Sequence, residues 1–132
     1  MPKSLSVLVV EDDPVVRAMV VMVLESAGHT AVGLGGALGA SEIMKLEPFD
    51  LIVTDVLMPK MDGVAFIREV RLKWPGLPVI AISGDGDRAA GTRRLQGASE
   101  AGAAATLAKP FENKELLALV AKVAAQHPRG GR

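Results

Sequence analysis

The chain has 132 residues, 49% of them hydrophobic, with fifteen basic and fifteen acidic side chains and no cysteine. This length suits one core and is too short for a second, and zero net charge gives no support for binding nucleic acid or an anionic membrane through a bulk electrostatic field. Disulfides, thiolate zinc sites and cysteine nucleophiles are excluded too; no signal-peptide pattern or membrane-length apolar stretch is apparent, so the expected location is the cytoplasm.

In chain order, short apolar runs alternate with segments of helical period. The runs are 5–10, 30–34, 51–54, 79–82 and 104–108. Near-continuous apolarity over about five residues fits strands covered on both faces, as in parallel sheets. Asp13 followed by Pro14 predicts an N-cap and first turn, with Gly28 ending that helix. In this first helix Val16, Met19, Val20, Val23, Leu24 and Ala27 are assigned to the sheet side. Val15, Ala18, Val21 and Met22 are assigned to an outward arc with only Glu25 charged. The second helix, about 38–47, is short and follows the glycine-rich stretch Gly33 to Gly39, read as a flexible turn. Asp62 caps a third helix that runs to Trp74, before Pro75 and Gly76. The fourth, about 88–101, carries Gly91 and Gly97, each costing about 1 kcal/mol relative to alanine, and is expected to be mobile. The last, about 113–126, buries Leu116, Leu117, Val120, Val123 and Ala124. Five β/α units result, in a single domain over 1–127, with 128–132 a short disordered tail.

If the runs are parallel strands, the residues just beyond them gather along one edge of the sheet, where open α/β folds place their ligand crevice. Those residues are Glu11, Asp12 and Asp13, then Asp55, Ser83 and Lys109. Clustered carboxylates repel one another unless a cation sits among them, and oxygen ligands favour a hard ion such as Mg²⁺. Magnesium takes few carboxylates and keeps a phosphate oxygen in its shell, which points to phosphoryl chemistry. Asp55 then offers the attacking oxygen, while Lys109 and the Ser83 hydroxyl neutralise charge on the transferred group. Asp13, Asp62 and Gly63 read as caps and turns, and His29 and His127 as surface residues.

The strings LVVEDD, VTDVLMPKMDG, IAISG and AKPF, in this order from about Ser4 to Gln126, resemble the receiver domain of two-component response regulators. The resemblance implies a flavodoxin-like, doubly wound five-stranded parallel sheet of order 2-1-3-4-5 with helices on both faces. It implies that Asp55 is the phosphoacceptor, and that Mg²⁺ (or Mn²⁺) is held by Asp12, Asp55 and the Leu57 backbone carbonyl, with Glu11 reaching the metal through water. Ser83 matches the switch hydroxyl, Lys109 the family's lysine, and the Lys109–Pro110 bond one that is cis in the family. The position of the usual aromatic switch is occupied by Thr106, which leaves the output coupling unexplained.

The expected function is a stand-alone receiver that takes its phosphoryl group from a histidine kinase or phosphotransfer protein and signals to a downstream protein. It is not expected to be an enzyme beyond its own phosphorylation and dephosphorylation. The outward arc Val15, Ala18, Val21 and Met22 is the candidate docking face for the phosphodonor, a homodimer contact being the competing use. Leu57 and Met58 could shield the phosphoryl group from water, and Asp85 could orient that water. Two other readings stay open: a degenerate receiver acting only as an interaction module, and a phosphohydrolase with an aspartate nucleophile of the haloacid dehalogenase type. The second is disfavoured because Leu57 stands where that type needs a general acid.

Overall fold

The structure is a computed structural model, and it describes residues 4–56, 62–84 and 88–127. Strands β1 (Ser6–Val10), β2 (Thr30–Leu34), β3 (Leu51–Asp55), β4 (Val79–Ser83) and β5 (Ala105–Ala108) alternate with helices α1 (Pro14–Ser26), α2 (Ala40–Leu46), α3 (Gly63–Lys73), α4 (Arg88–Ala101) and α5 (Asn113–Gln126). The strands form one parallel sheet in the order β2-β1-β3-β4-β5. Leu57, Met58, Asp85 and the tail 128–132 lie outside the described residues.

Side chains of period two divide the core into two layers, as a sheet covered on both faces requires. Val7, Val9, Leu51, Val53, Ile80 and Ile82 meet Val20, Val23 and Leu24 of α1 and Leu116, Val120 and Val123 of α5. Leu8, Val10, Ile52, Val79 and Ala81 meet α2, α3 and α4 through Ala40, Met44, Phe66, Ile67, Val70 and Ala98. The central strands β3 and β4 are buried at every residue, whereas the edge strands β2 and β5 are partly exposed. Leu117 and Ala124 of α5 are partly buried against the first layer.

The helix ends follow their caps. Asp13 accepts hydrogen bonds from the Val15 and Val16 amides at 2.9 and 3.4 Å, and Asp62 from that of Val64 at 2.9 Å. These bonds satisfy donors that the first turn leaves unpaired. Helix α4 runs unbroken through Gly97, whose missing side chain faces Val64 of α3 at ordinary contact distance.

Helix α1 is rotated about its axis relative to the arcs assigned from periodicity. Val21 is half-buried and packs against the core, because Gly33 on β2 presents no side chain and leaves room for it; a Cβ there would lie 3.4 Å from Val21 Cγ2. Met19 turns out to solvent at 40% exposure, beside Val15 at 76% and Met22 at 68%, and Ala27 is exposed at the helix end. The outward arc is therefore Val15, Ala18, Met19 and Met22, an i, i+3, i+4, i+7 stripe. His29 also departs from a surface role. It is half-buried, and its Nδ1 accepts the Leu5 amide at 3.1 Å. Burial lowers its pKa from the usual 6.5.

Candidate functional site

Strand register decides which residues meet at the carboxyl edge of the sheet. Val10 pairs with Thr54, Asp55 with Ile82, and Ser83 with Ala108, so Glu11, Asp55, Ser83 and Lys109 all emerge at nearly one level. Two backbone bonds extend the ladder there: the Glu11 amide donates to Leu34 O at 3.0 Å and the Lys109 amide to Ser83 O at 2.9 Å. Glycines allow the close approach. A Cβ on Gly84 would lie 2.7 Å from Lys109 Cβ and 2.8 Å from its carbonyl oxygen, and one on Gly63 would collide with the Val56 backbone. The Lys109–Pro110 bond is cis.

Carboxylate oxygens of Glu11, Asp12 and Asp55 lie within 4.8 Å of one another. Asp12 is exposed, whereas Glu11 and Asp55 are buried. The Lys109 ammonium donates to Glu11 Oε1 at 3.0 Å and to Asp55 Oδ2 at 3.3 Å. A small void of about 10 Å³ adjoins the site, lined by Val9, Val16, Val20, Val53 and Ile82 together with Glu11, Asp55 and Lys109, so apolar side chains back the buried acids on one side.

The charges of the site record this crowding. Burial, then the hydrogen bond and charge of neighbouring Asp55, raise the Glu11 carboxyl from 4.5 to about 7 against the opposing pull of Lys109. Burial by itself would lower the Lys109 ammonium, but its bonds to Glu11 and Asp55 and their charges outweigh that and hold it above 10.5. One ammonium thus leaves the three carboxylates undercompensated, which suits a divalent cation of the hard, oxygen-seeking kind. The Ser83 hydroxyl supports the same fit. It is 1% exposed and its Oγ has no hydrogen-bond partner among the described residues, a costly state unless an incoming group supplies an acceptor.

The structure brings together Glu11, Asp12, Asp55 and Lys109, with Ser83 at the neighbouring strand end. Leu57 lies outside the described residues. Thr106 lies apart, exposed on β5; Ala105 and Leu107 pack into the layer of α1 and α5, so alternation turns Thr106 to the opposite face. The stripe Val15, Ala18, Met19 and Met22 starts two residues after Asp13, on the helix that follows Glu11 and Asp12 in the chain. Sequence reasoning missed Arg17, whose Nη1 donates to the Glu11 carbonyl oxygen at 3.0 Å. A signal existed: Arg17 is the single cation in α1, and all of 15–24 except Arg17 are apolar.

A parallel (βα)5 sheet of order 2-1-3-4-5 with an acidic cluster and a lysine at its carboxyl edge defines a receiver of the CheY-like class. Residues 7–121 match the response regulator receiver domain. The chain is 39% identical over 118 residues to the response regulator protein FleR of Pseudomonas aeruginosa, covering 88% of this chain and 24% of FleR. It is 37% identical over 119 residues to the sensor kinase CckA of Brucella abortus, covering 89% of this chain and 12% of CckA. A solved putative response regulator from Chloroflexus aurantiacus superposes with a TM-score of 0.83 at 32% identity, over 93% of this chain and 99% of that one. The chain belongs to the response regulator receiver domain family, the phosphorelay module of two-component systems. It spans less than a quarter of the length of FleR and of CckA. Among the described residues no helix is long and apolar enough to cross a membrane.

Proposed function

We propose that this receiver accepts a phosphoryl group on Asp55 from a phosphohistidine of a histidine kinase or phosphotransfer protein, with Mg²⁺ as cofactor, and signals through protein contacts in the cytoplasm. The observation that carries this reading is the buried Asp55 carboxylate set among Glu11, Asp12 and Lys109. Asp12 and Asp55 would hold the ion directly and Glu11 through water; the ion, when bound, offsets negative charge on the phosphoryl oxygens. An Asp55 oxygen attacks phosphorus, the phosphorus–nitrogen bond of the donor breaks, and the imidazole keeps the electron pair and takes up a proton. Lys109 swings its bond from Asp55 to a phosphoryl oxygen, and the unpartnered Ser83 hydroxyl donates to another. Little covalent work remains for the protein, so positioning and charge dominate.

Helix α1 is the proposed docking face for the donor. Val15, Ala18, Met19 and Met22 form an apolar stripe on the helix that follows Glu11 and Asp12 in the chain, the composition a helical partner buries. The output is proposed to run through the exposed face around Thr106. Without an aromatic ring there, the message rests on the Ser83 hydroxyl and the backbone of β5 rather than on burying a large side chain.

Incubation with Mg²⁺ and acetyl phosphate, followed by intact mass, tests the proposal. The expected result is the mass gain of one phosphoryl group, absent in Asp55→Asn. No modification of the parent chain would favour an interaction module, and many turnovers on phosphate esters a hydrolase; either outcome refutes the switch.

A further inference from the structure

We infer that Arg17 is a positioning residue for the acidic site, a strap that holds the β1–α1 turn so that Glu11 and Asp12 face the cation. This rests on the reading above that these carboxylates hold Mg²⁺. Arg17 closes the first turn of α1, its amide bonded to Asp13 O at 2.9 Å. Its side chain leaves the helix toward the end of β2 and returns a hydrogen bond from Nη1 to the Glu11 carbonyl oxygen at 3.0 Å. The Glu11 amide is bound to Leu34 O at 3.0 Å. Both backbone polar groups of Glu11 are therefore pinned, one by β2 and one by the guanidinium, immediately before Asp12.

The bed for this strap is made of glycine. A Cβ on Gly33 would stand 3.0 Å from Arg17 Cγ and 3.2 Å from Cδ, and one on Gly35 would stand 3.0 Å from Nη1. Neither glycine has positive φ, which among the described residues is confined to Gly28, Gly39 and Gly102. Backbone conformation thus gives no reason for glycine at 33 and 35, whereas the room taken by Arg17 does. The glycine-rich stretch is a groove for a side chain of the site's own supporting shell. Supporting groups of this kind orient ligands they do not themselves replace.

Charge and geometry predict opposite signs, which makes the role testable. Removing a cation beside a Mg²⁺ site would by electrostatics tighten metal binding. Removing a strap would loosen it. By calorimetry with Mg²⁺ alone, Arg17→Met is expected to raise the dissociation constant about tenfold. Arg17→Lys, which keeps the charge but not the planar reach, should raise it less. Gly35→Ala, which keeps the arginine and crowds it, should raise it as well. The Mg²⁺ concentration for half-maximal phosphorylation by acetyl phosphate should rise by the same factor, with less than a twofold change in rate at saturating Mg²⁺. Thermal unfolding in chelator identifies any variant that fails to fold, and the lysine and alanine variants then carry the test. An unchanged or lower dissociation constant in folded variants, while the parent binds Mg²⁺, overturns the strap alone. A parent chain that binds no Mg²⁺ overturns the metal reading and the strap with it.

Discussion

Replacing Glu11 by glutamine should make the metal-free protein more stable at neutral pH while weakening its function. The carboxyl is held near pH 7 against 4.5 when unfolded, a difference of about 2.5 pH units, equivalent to roughly 3 kcal/mol at 1.36 kcal/mol per unit. The folded-state value is the higher one, so the folded chain binds more protons between the two values. Protonation of Glu11 therefore favours folding fully below about 4.5, and that stabilisation is lost as pH rises through about 7. Glutamine resembles the protonated acid at every pH. Relative to the parent, Glu11→Gln should gain almost nothing near pH 4.5 and on the order of 3 kcal/mol by pH 8, about 10 °C in Tm for a domain of this size. Thermal or urea unfolding in chelator at constant ionic strength, in steps from pH 5 to 8, measures the gap. Saturating Mg²⁺ should reverse the order at pH 8, because the ion stabilises the parent by mass action and the variant less. Parent and variant curves that run parallel across the whole pH range would refute the assignment of the raised carboxyl to Glu11.

Ser83→Ala removes a buried hydroxyl with no partner among the described residues, so unfolding should show no loss of stability or a gain of up to about 1 kcal/mol; phosphorylation of Asp55, timed by intact mass, should slow, and an unchanged rate would deny the hydroxyl its role. Met19→Glu with Met22→Glu should cut transfer from the cognate phosphodonor at least tenfold, since charges in an apolar contact are left desolvated, yet leave acetyl phosphate labelling intact; equal losses with both donors would count against docking on α1. Burial lowers the His29 pKa and its Nδ1 must be unprotonated to accept the Leu5 amide. Its contribution is therefore present above about 6.5 and lost as pH falls below that, so His29→Gln should flatten the acid side of the Tm profile between pH 7 and 5.

Much of the molecule is legible in its sequence. The five apolar runs became the five strands, and Asp13 and Asp62 became the caps of α1 and α3, because strand burial and helix capping depend on neighbours a few residues away. Residues at strand ends were legible for a related reason: parallel strands all point one way, so whatever follows each run collects at one edge. The resemblance in LVVEDD, VTDVLMPKMDG, IAISG and AKPF supplied the roles proposed for them.

Contacts between distant segments were decided only by the tertiary structure. Periodicity defines arcs on α1 but not their rotation, which is set by the room above Gly33; Val21 went inward and Met19 outward for that reason. The glycines at 33 and 35 look like a loose turn in the sequence, whereas in the fold Arg17 lies across them. No local pattern could show that Lys109 bridges Glu11 and Asp55 across 98 and 54 residues of chain, or that burial would hold Glu11 near neutrality. Local sequence determined the elements and the chemistry carried at their ends, while the electrostatics of the site came from packing, since charge, burial and distance act through space rather than along the chain.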